Sequence, residues 1–260
     1  MTVQSQATTS LQVNFSTPVA SITLCHPPLN VIDLAMARDL THALAEIESH
    51  PEISVIVFKG SPSAFSAGVD IPAHLPETIR EMLTSFHDVI RSIITSRKVT
   101  IAEVTGKCLG GGAELALVCD MVYTARDATW GFPEIKLGCY PPVATVALPA
   151  VVGQKRASEL VLTGRHFSGD EAVAMGLANR SARKEELPIL VESILEQLRL
   201  LSPVALAHAK KAIYAWDANH FDKGLTRAEK IYLEELTTTH DAREGIMAFL
   251  EKRPPRWTGN

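Results

Sequence analysis

Val99-Thr100-Ile101-Ala102-Glu103-Val104, then Gly110-Gly111-Gly112-Ala113-Glu114-Leu115-Ala116, then Met121-Val122-Tyr123-Thr124 stand in succession at the middle of the chain. The first and last runs read as buried strands, and the glycines open a helix expected to last through Cys119. Strand–helix–strand order predicts βαβ units around a largely parallel sheet, an α/β fold. The same alternation extends towards the N-terminus. Ile53-Ser54-Val55-Ile56-Val57-Phe58 is apolar at nearly every position, as in a strand covered on both faces. A helix is expected from about Pro76 to Thr95. Another runs from Leu34 to Ser49, capped by Asp33, with Leu40, Leu44 and Ile47 on one face. Leu11 to Phe15 and Val19 to Leu24 read as two strands joined at Ser16-Thr17-Pro18. His26-Pro27-Pro28-Leu29-Asn30 reads as a rigid non-helical loop.

From Val143 onward the pattern is helical, with segments expected at 144–152, 154–163, 169–175, 187–200, 203–216, 221–236 and 241–251. The chain therefore divides into a polar leader at 1–10, expected to be disordered, an α/β core at 11–183 and a helical region at 184–260. The chain has 260 residues, 46% hydrophobic and 21% charged, with a formal net charge of −4. These values fit an ordinary globular protein and no nucleic-acid partner, which would call for a basic stripe. No apolar run reaches the ~18 residues of a membrane helix. The leader lacks the basic start and apolar core of a secretory signal, so a cytoplasmic location is expected. Cys25, Cys108, Cys119 and Cys139 form no metal-ligand spacing and read as buried thiols.

Two glycine-bearing segments carry the chemistry. Ala64-Phe65-Ser66-Ala67-Gly68-Val69-Asp70 follows a strand, and Gly110-Gly111-Gly112 starts a helix whose first amides have no internal partner. Glycine lets backbone N–H groups approach a ligand closely. Two such donors from separate loops suit one carbonyl oxygen on which negative charge develops. Glu114 and, twenty residues later, Glu134 supply a base and an acid. Taken singly, Glu114 also reads as a first-turn helix acid, Glu134 as a surface glutamate and Asp70 as a turn residue. His74 reads first as an exposed loop histidine and second as a residue at the pocket mouth, and Lys252, Arg253 and Arg256 first as a solvated tail and second as contacts to ligand phosphates.

These segments, with Phe132-Pro133-Glu134 and Leu162-Thr163-Gly164-Arg165, resemble the crotonase family, the enoyl-CoA hydratase/isomerase superfamily. The resemblance covers about Leu11 to Trp257. It implies a spiral of ββα turns with a C-terminal helical trimerisation region, in homotrimers or hexamers built from two trimers. It implies an oxyanion hole from the Val69 and Gly111 amides, and a coenzyme A path past Pro28, Leu29, Ala67, Asp70, Ile71 and Gly110. Members with glutamates at the positions of Glu114 and Glu134 add water to enoyl-CoA thioesters. Glu114 then activates the water and Glu134 protonates the α-carbon. No metal and no separate cofactor are expected, since coenzyme A is part of the substrate.

The chain departs from common hydratases after Leu137-Gly138. In place of a glycine-rich stretch it has Cys139-Tyr140-Pro141-Pro142-Val143. With Pro133, the residues Tyr140, Pro141 and Pro142 are expected to wall the acyl pocket. The run resembles hydratases acting on cyclic dienoyl-CoA thioesters, which implies cyclohexa-1,5-diene-1-carbonyl-CoA as substrate. Two other readings stay open. One is an isomerase or decarboxylase on the same scaffold. The other is a non-catalytic homologue that binds acyl-CoA or RNA.

Overall fold

The structure is a computed structural model that describes residues 4–8, 10–214 and 218–259. The chain opens with strand β1 (Gln4–Ala7), followed by the hairpin β2 (Leu11–Ser16) and β3 (Val19–Leu24). β1 pairs antiparallel with β2, Gln4 opposite Phe15. Residues 4–7 are thus an edge strand where the sequence suggested a disordered leader. A ladder satisfies backbone groups without requiring apolar side chains, so a polar segment can extend a sheet and leave no hydrophobic signal.

Helix α1 (Leu34–Ser49) buries Leu40, Leu44 and Ile47, and the Asp33 carboxylate accepts from Met36 N at its start. Then come β4 (Val55–Lys59), β5 (Ala64–Ser66) and α2 (Ile79–Thr95). β6 (Val99–Val104), β7 (Lys107–Leu109) and α3 (Gly111–Leu117) repeat that order, and β8 (Met121–Ala125) with β9 (Thr129–Gly131) begins a third turn. Each turn contributes one strand to each of two sheets and then a helix. The seven-stranded sheet has order β1-β2-β3-β4-β6-β8-β11 and is parallel from β3 onward. The smaller sheet runs β10-β9-β7-β5. Its strands are three residues long, too short to show an alternating pattern, so the linear reading of strands and helices passed over them.

The third turn closes through α4 (Pro142–Val152), α5 (Gln154–Thr163), β10 (His166–Ser168), α6 (Gly169–Met175) and β11 (Arg180–Ala182). The described elements beyond are helical: α7 (Leu187–Arg199), α8 (Pro203–Tyr214), α9 (Ala218–Lys230) and α10 (His240–Leu250). Between α9 and α10 the helical path widens into a π turn at Ile231–Glu235 and then tightens at Leu236–Thr238. The sequence suggested one uninterrupted helix over 221–236. Among the described residues no helix is long and apolar enough to cross a membrane.

Candidate active site

The loop after β5 is held from one side by the segment after β3. Ile32 N donates to Gly68 O at 2.9 Å, and Asp70 N donates to Ile32 O at 3.0 Å. This short bridge uses the groups on either side of Val69, so the Val69 N–H faces away from Ile32. Ala67 N donates to Leu29 O at 2.9 Å, and Ser66 Oγ accepts from Gly68 N at 3.1 Å. Asn30, buried and with φ of 52°, staples the proline loop to β5. Its amide donates to Ala64 O and Phe65 O at 2.8 and 3.1 Å, and its Oδ1 accepts from His26 N.

The glycine run packs against that loop with no room for side chains. A methyl group at Gly111 would stand 2.6 Å from Val69 Cγ2 and 3.4 Å from Val69 N, and one at Gly112 would stand 2.6 Å from Ser66 O. Gly110 has φ of 51°, in the left-handed region, and a methyl there would lie 2.7 Å from Glu134 Oε1. Gly110 N is used by Gly131 O. Neither Val69 N–H nor Gly111 N–H has an acceptor among the described residues. Two free backbone donors from adjacent loops therefore flank the same position.

Glu114 sits one turn into α3 and is 3% exposed. Its Oε1 accepts from Ala144 N at 2.9 Å, at the first turn of α4. Pro142 occupies the first position of α4, where its missing N–H costs nothing, and the Val143 and Ala144 amides remain for Glu114. Burial pushes the Glu114 carboxyl up to about 7 and outweighs the lowering by those two amides. Glu134 lies on the 3₁₀ turn Pro133–Leu137, and its Oε2 is sealed from solvent with no hydrogen-bond partner. Burial first, and the Glu114 charge second, raise it well above the usual carboxylate range.

Both glutamates line one cavity of about 80 Å³. Its wall also includes Ala67, Val69 and Ile71 from the first loop and Gly110 and Gly111 from the second. Pro133, Tyr140, Pro141 and Pro142 complete the expected lining. A cavity of this size encloses only one end of a large ligand, with the remainder outside. Pro28, Leu29 and Asp70 do not line it. Leu29 and Asp70 act through their backbones to hold the Val69 loop, while Pro28 O accepts from Ser63 Oγ. The Tyr140 hydroxyl is used by Ala228 O at 2.6 Å, so Tyr140 presents its ring and not a donor.

His74, read from sequence as exposed, lines the cavity, with Nδ1 against Asp70 O at 3.0 Å. Burial lowers its pKa and favours the neutral ring. Met82, Leu83 and Phe86 of α2, Leu137, and Tyr232 of the π turn also line it and were not identified from sequence. The α2 residues belong to an ordinary amphipathic stripe, which carries no mark separating a pocket wall from core. Arg253 is engaged by Glu244 at 2.5 and 2.8 Å and by Glu251 at 2.6 Å. A larger cavity of about 390 Å³ lies between α3, α4 and α9. It contains neither glutamate nor either free amide.

A family model for enoyl-CoA hydratase/isomerase matches residues 14–260. A cyclohexa-1,5-dienecarbonyl-CoA hydratase of Thauera aromatica is 35% identical over 234 residues, 90% of each chain. A probable mitochondrial enoyl-CoA hydratase of Dictyostelium discoideum is 34% identical, covering 92% of this chain and 87% of that one. Among solved structures, an enoyl-CoA hydratase from Mycobacterium avium subsp. paratuberculosis superposes with a TM-score of 0.87. It is 27% identical and covers 96% of this chain and 98% of its own.

Proposed function

Since the chain belongs to the enoyl-CoA hydratase/isomerase family, we propose that it adds water across the α,β-double bond of an acyl-CoA thioester, using Glu114 and Glu134 as its proton-handling pair. The observation that carries the reading is the convergence of two unengaged amides and two buried carboxyls on one cavity. The thioester oxygen accepts from Val69 N–H and Gly111 N–H, which polarises the double bond towards the β-carbon. Glu114, oriented by the Ala144 amide, takes a proton from water as its oxygen bonds to the β-carbon. Electron density collects on the thioester as an enolate, and the amide pair stabilises it. Removal of one such donor typically costs ~2.7–4 kcal/mol of barrier. Glu134, held protonated by burial and by the neighbouring carboxylate, delivers its proton to the α-carbon. The proton taken by Glu114 balances the one given by Glu134, so the sequence needs no metal or redox cofactor.

For the acyl group we propose a cyclic dienoyl thioester. The Tyr140-Pro141-Pro142 wall and the dienecarbonyl-CoA hydratase among the relatives support this choice. We assign the helical end to self-association in trimers or hexamers, supported by Val204 and Ile213, which α8 leaves largely exposed. The test is turnover of purified protein on crotonyl-CoA and on cyclohexa-1,5-diene-1-carbonyl-CoA, followed by loss of the enoyl-thioester absorbance. Reaction of the cyclic compound alone supports both parts. Reaction of crotonyl-CoA alone leaves the hydratase and removes the cyclic substrate, and no reaction with either removes both.

A further inference from the structure

Tyr232 is 1% exposed, yet its hydroxyl has no hydrogen-bond partner among the described residues. It sits in the π turn Ile231–Glu235, a local widening of the kind often found at functional sites. It lines the same cavity as Glu114 and Glu134. Its neighbours are already engaged. The Tyr140 ring meets it edge-on at 5.2 Å, but the Tyr140 hydroxyl donates to Ala228 O. The Cys139 thiol beside it donates to Leu137 O, which leaves only the sulfur, a weak acceptor, facing the Tyr232 hydroxyl. Burial, with Cys139 and Glu134 nearby, raises Tyr232 well above the usual phenol range, so its O–H stays a neutral donor. A purely hydrocarbon acyl group has nothing to accept that donor, and an oxygen in the cavity is a better acceptor for a buried hydroxyl than the Cys139 sulfur.

We infer that Tyr232 is a specificity-determining residue of this site, whose hydroxyl donates a hydrogen bond to an oxygen carried by the acyl group. The inference rests on the acyl-CoA reading above. The oxygen has two sources of the same chemistry: the β-hydroxyl that hydration creates, or a hydroxyl substituent further along the acyl group. In the first case Tyr232 holds the hydrated thioester in place. In the second it selects oxygenated substrates.

The experiment compares wild type with Tyr232→Phe by calorimetric binding of butyryl-CoA, 3-hydroxybutyryl-CoA and 5-hydroxypentanoyl-CoA to the full chain. Crotonyl-CoA turnover is measured alongside. Loss of one neutral hydrogen bond predicts roughly tenfold weaker binding of an oxygen-bearing thioester, with butyryl-CoA unchanged. Weakening confined to 3-hydroxybutyryl-CoA identifies the β-hydroxyl. Weakening confined to 5-hydroxypentanoyl-CoA identifies the substituent. The inference is overturned if neither weakens, or if butyryl-CoA weakens equally. A hydroxyl that meets no oxygen or nitrogen acceptor within the fold also predicts an unchanged or raised Tm in the variant. A Tm lower by more than about 4 °C means that the fold itself uses the hydroxyl, and overturns the inference too. Binding does not depend on turnover, so absence of crotonyl-CoA hydration counts against the hydratase and not against Tyr232.

Discussion

Substitution of Gly111 by alanine tests the oxyanion arrangement through a single methyl group. That methyl would stand 2.6 Å from Val69 Cγ2, 3.2 Å from Phe86 Cζ and 3.4 Å from Val69 N. Carbon atoms prefer separations of about 3.5–4.0 Å, so the two loops must part by about 1 Å. A displacement of about 1 Å costs on the order of 100-fold in rate when geometry sets the barrier. Loss of one oxyanion donor costs ~10²–10³ in kcat. Gly111→Ala is therefore expected to lower kcat by ~10²–10³ and stability by about 1–3 kcal/mol through overpacking. The conflict lies mainly with a side chain, and truncation can relieve it. Val69 contributes its backbone N–H, so Val69→Ala alone keeps kcat within about threefold of wild type. In the double variant the clash at Cγ2 disappears, the 3.4 Å approach to Val69 N is ordinary contact, and only the 3.2 Å approach to the Phe86 ring remains to be relieved. The double variant is expected to recover at least tenfold of the lost kcat. Steady-state hydration of an accepted enoyl-CoA, with thermal unfolding of all four proteins, provides the measurement. Full activity in Gly111→Ala refutes the close approach of the loops. A double variant as poor as Gly111→Ala refutes Val69 Cγ2 as the obstruction.

The pair's titration sets the pH profile. Glu114 must be ionised to act as base, so the rate should rise with pH through about 7, and it should fall again once Glu134 loses the proton it donates. A kcat/KM profile flat from pH 5 to 9 contradicts this. The linkage to stability has a definite sign. The folded state holds the Glu114 proton more tightly than the unfolded chain, so this contribution is present below the unfolded value of about 4.5 and is lost as pH rises through about 7. Glu114→Gln, which keeps an acceptor for Ala144 N, should therefore raise Tm over wild type by roughly 5–10 °C more at pH 8 than at pH 5. A gap independent of pH rules out a raised Glu114. Asn30→Ala removes three hydrogen bonds, with Ala64 O still held by Ser61 N, and should cost about 2–3 kcal/mol in urea unfolding, with a clear fall in kcat as the Val69 loop loosens. Wild-type stability in that variant removes Asn30 as the staple.

The parts legible from sequence are those whose physics is local. The Asp33 cap and the apolar face of α1 follow from side-chain spacing, and β4, β6 and β8 from apolar runs. Three consecutive glycines exceed what a helix start requires, and each proves to lie against another loop or side chain. Glu114 and Glu134 stand in glycine- and proline-marked turns, which set them apart from other acids. The rest is tertiary. β1 is polar because an edge ladder needs only backbone groups. The three-residue strands of the smaller sheet exist through partners distant in the chain. His74 and Tyr232 acquire their role only when the segment after β5 and the π turn after α9 close on one cavity. From sequence alone Pro141 and Pro142 read as wall residues of the acyl pocket. Their placement at the start of α4 also leaves the next two amides for Glu114, a consequence visible only once α3 and α4 meet.

The most direct test is hydration in D2O by wild type, Glu114→Gln and Glu134→Gln, with rates measured and products examined by mass spectrometry and NMR. The account predicts a wild-type product with hydroxyl on the β-carbon and one deuterium on the α-carbon, and a rate at least ~10²-fold lower in each variant. Either variant turning over within tenfold of wild type, or a wild-type product without the α-deuterium, contradicts it.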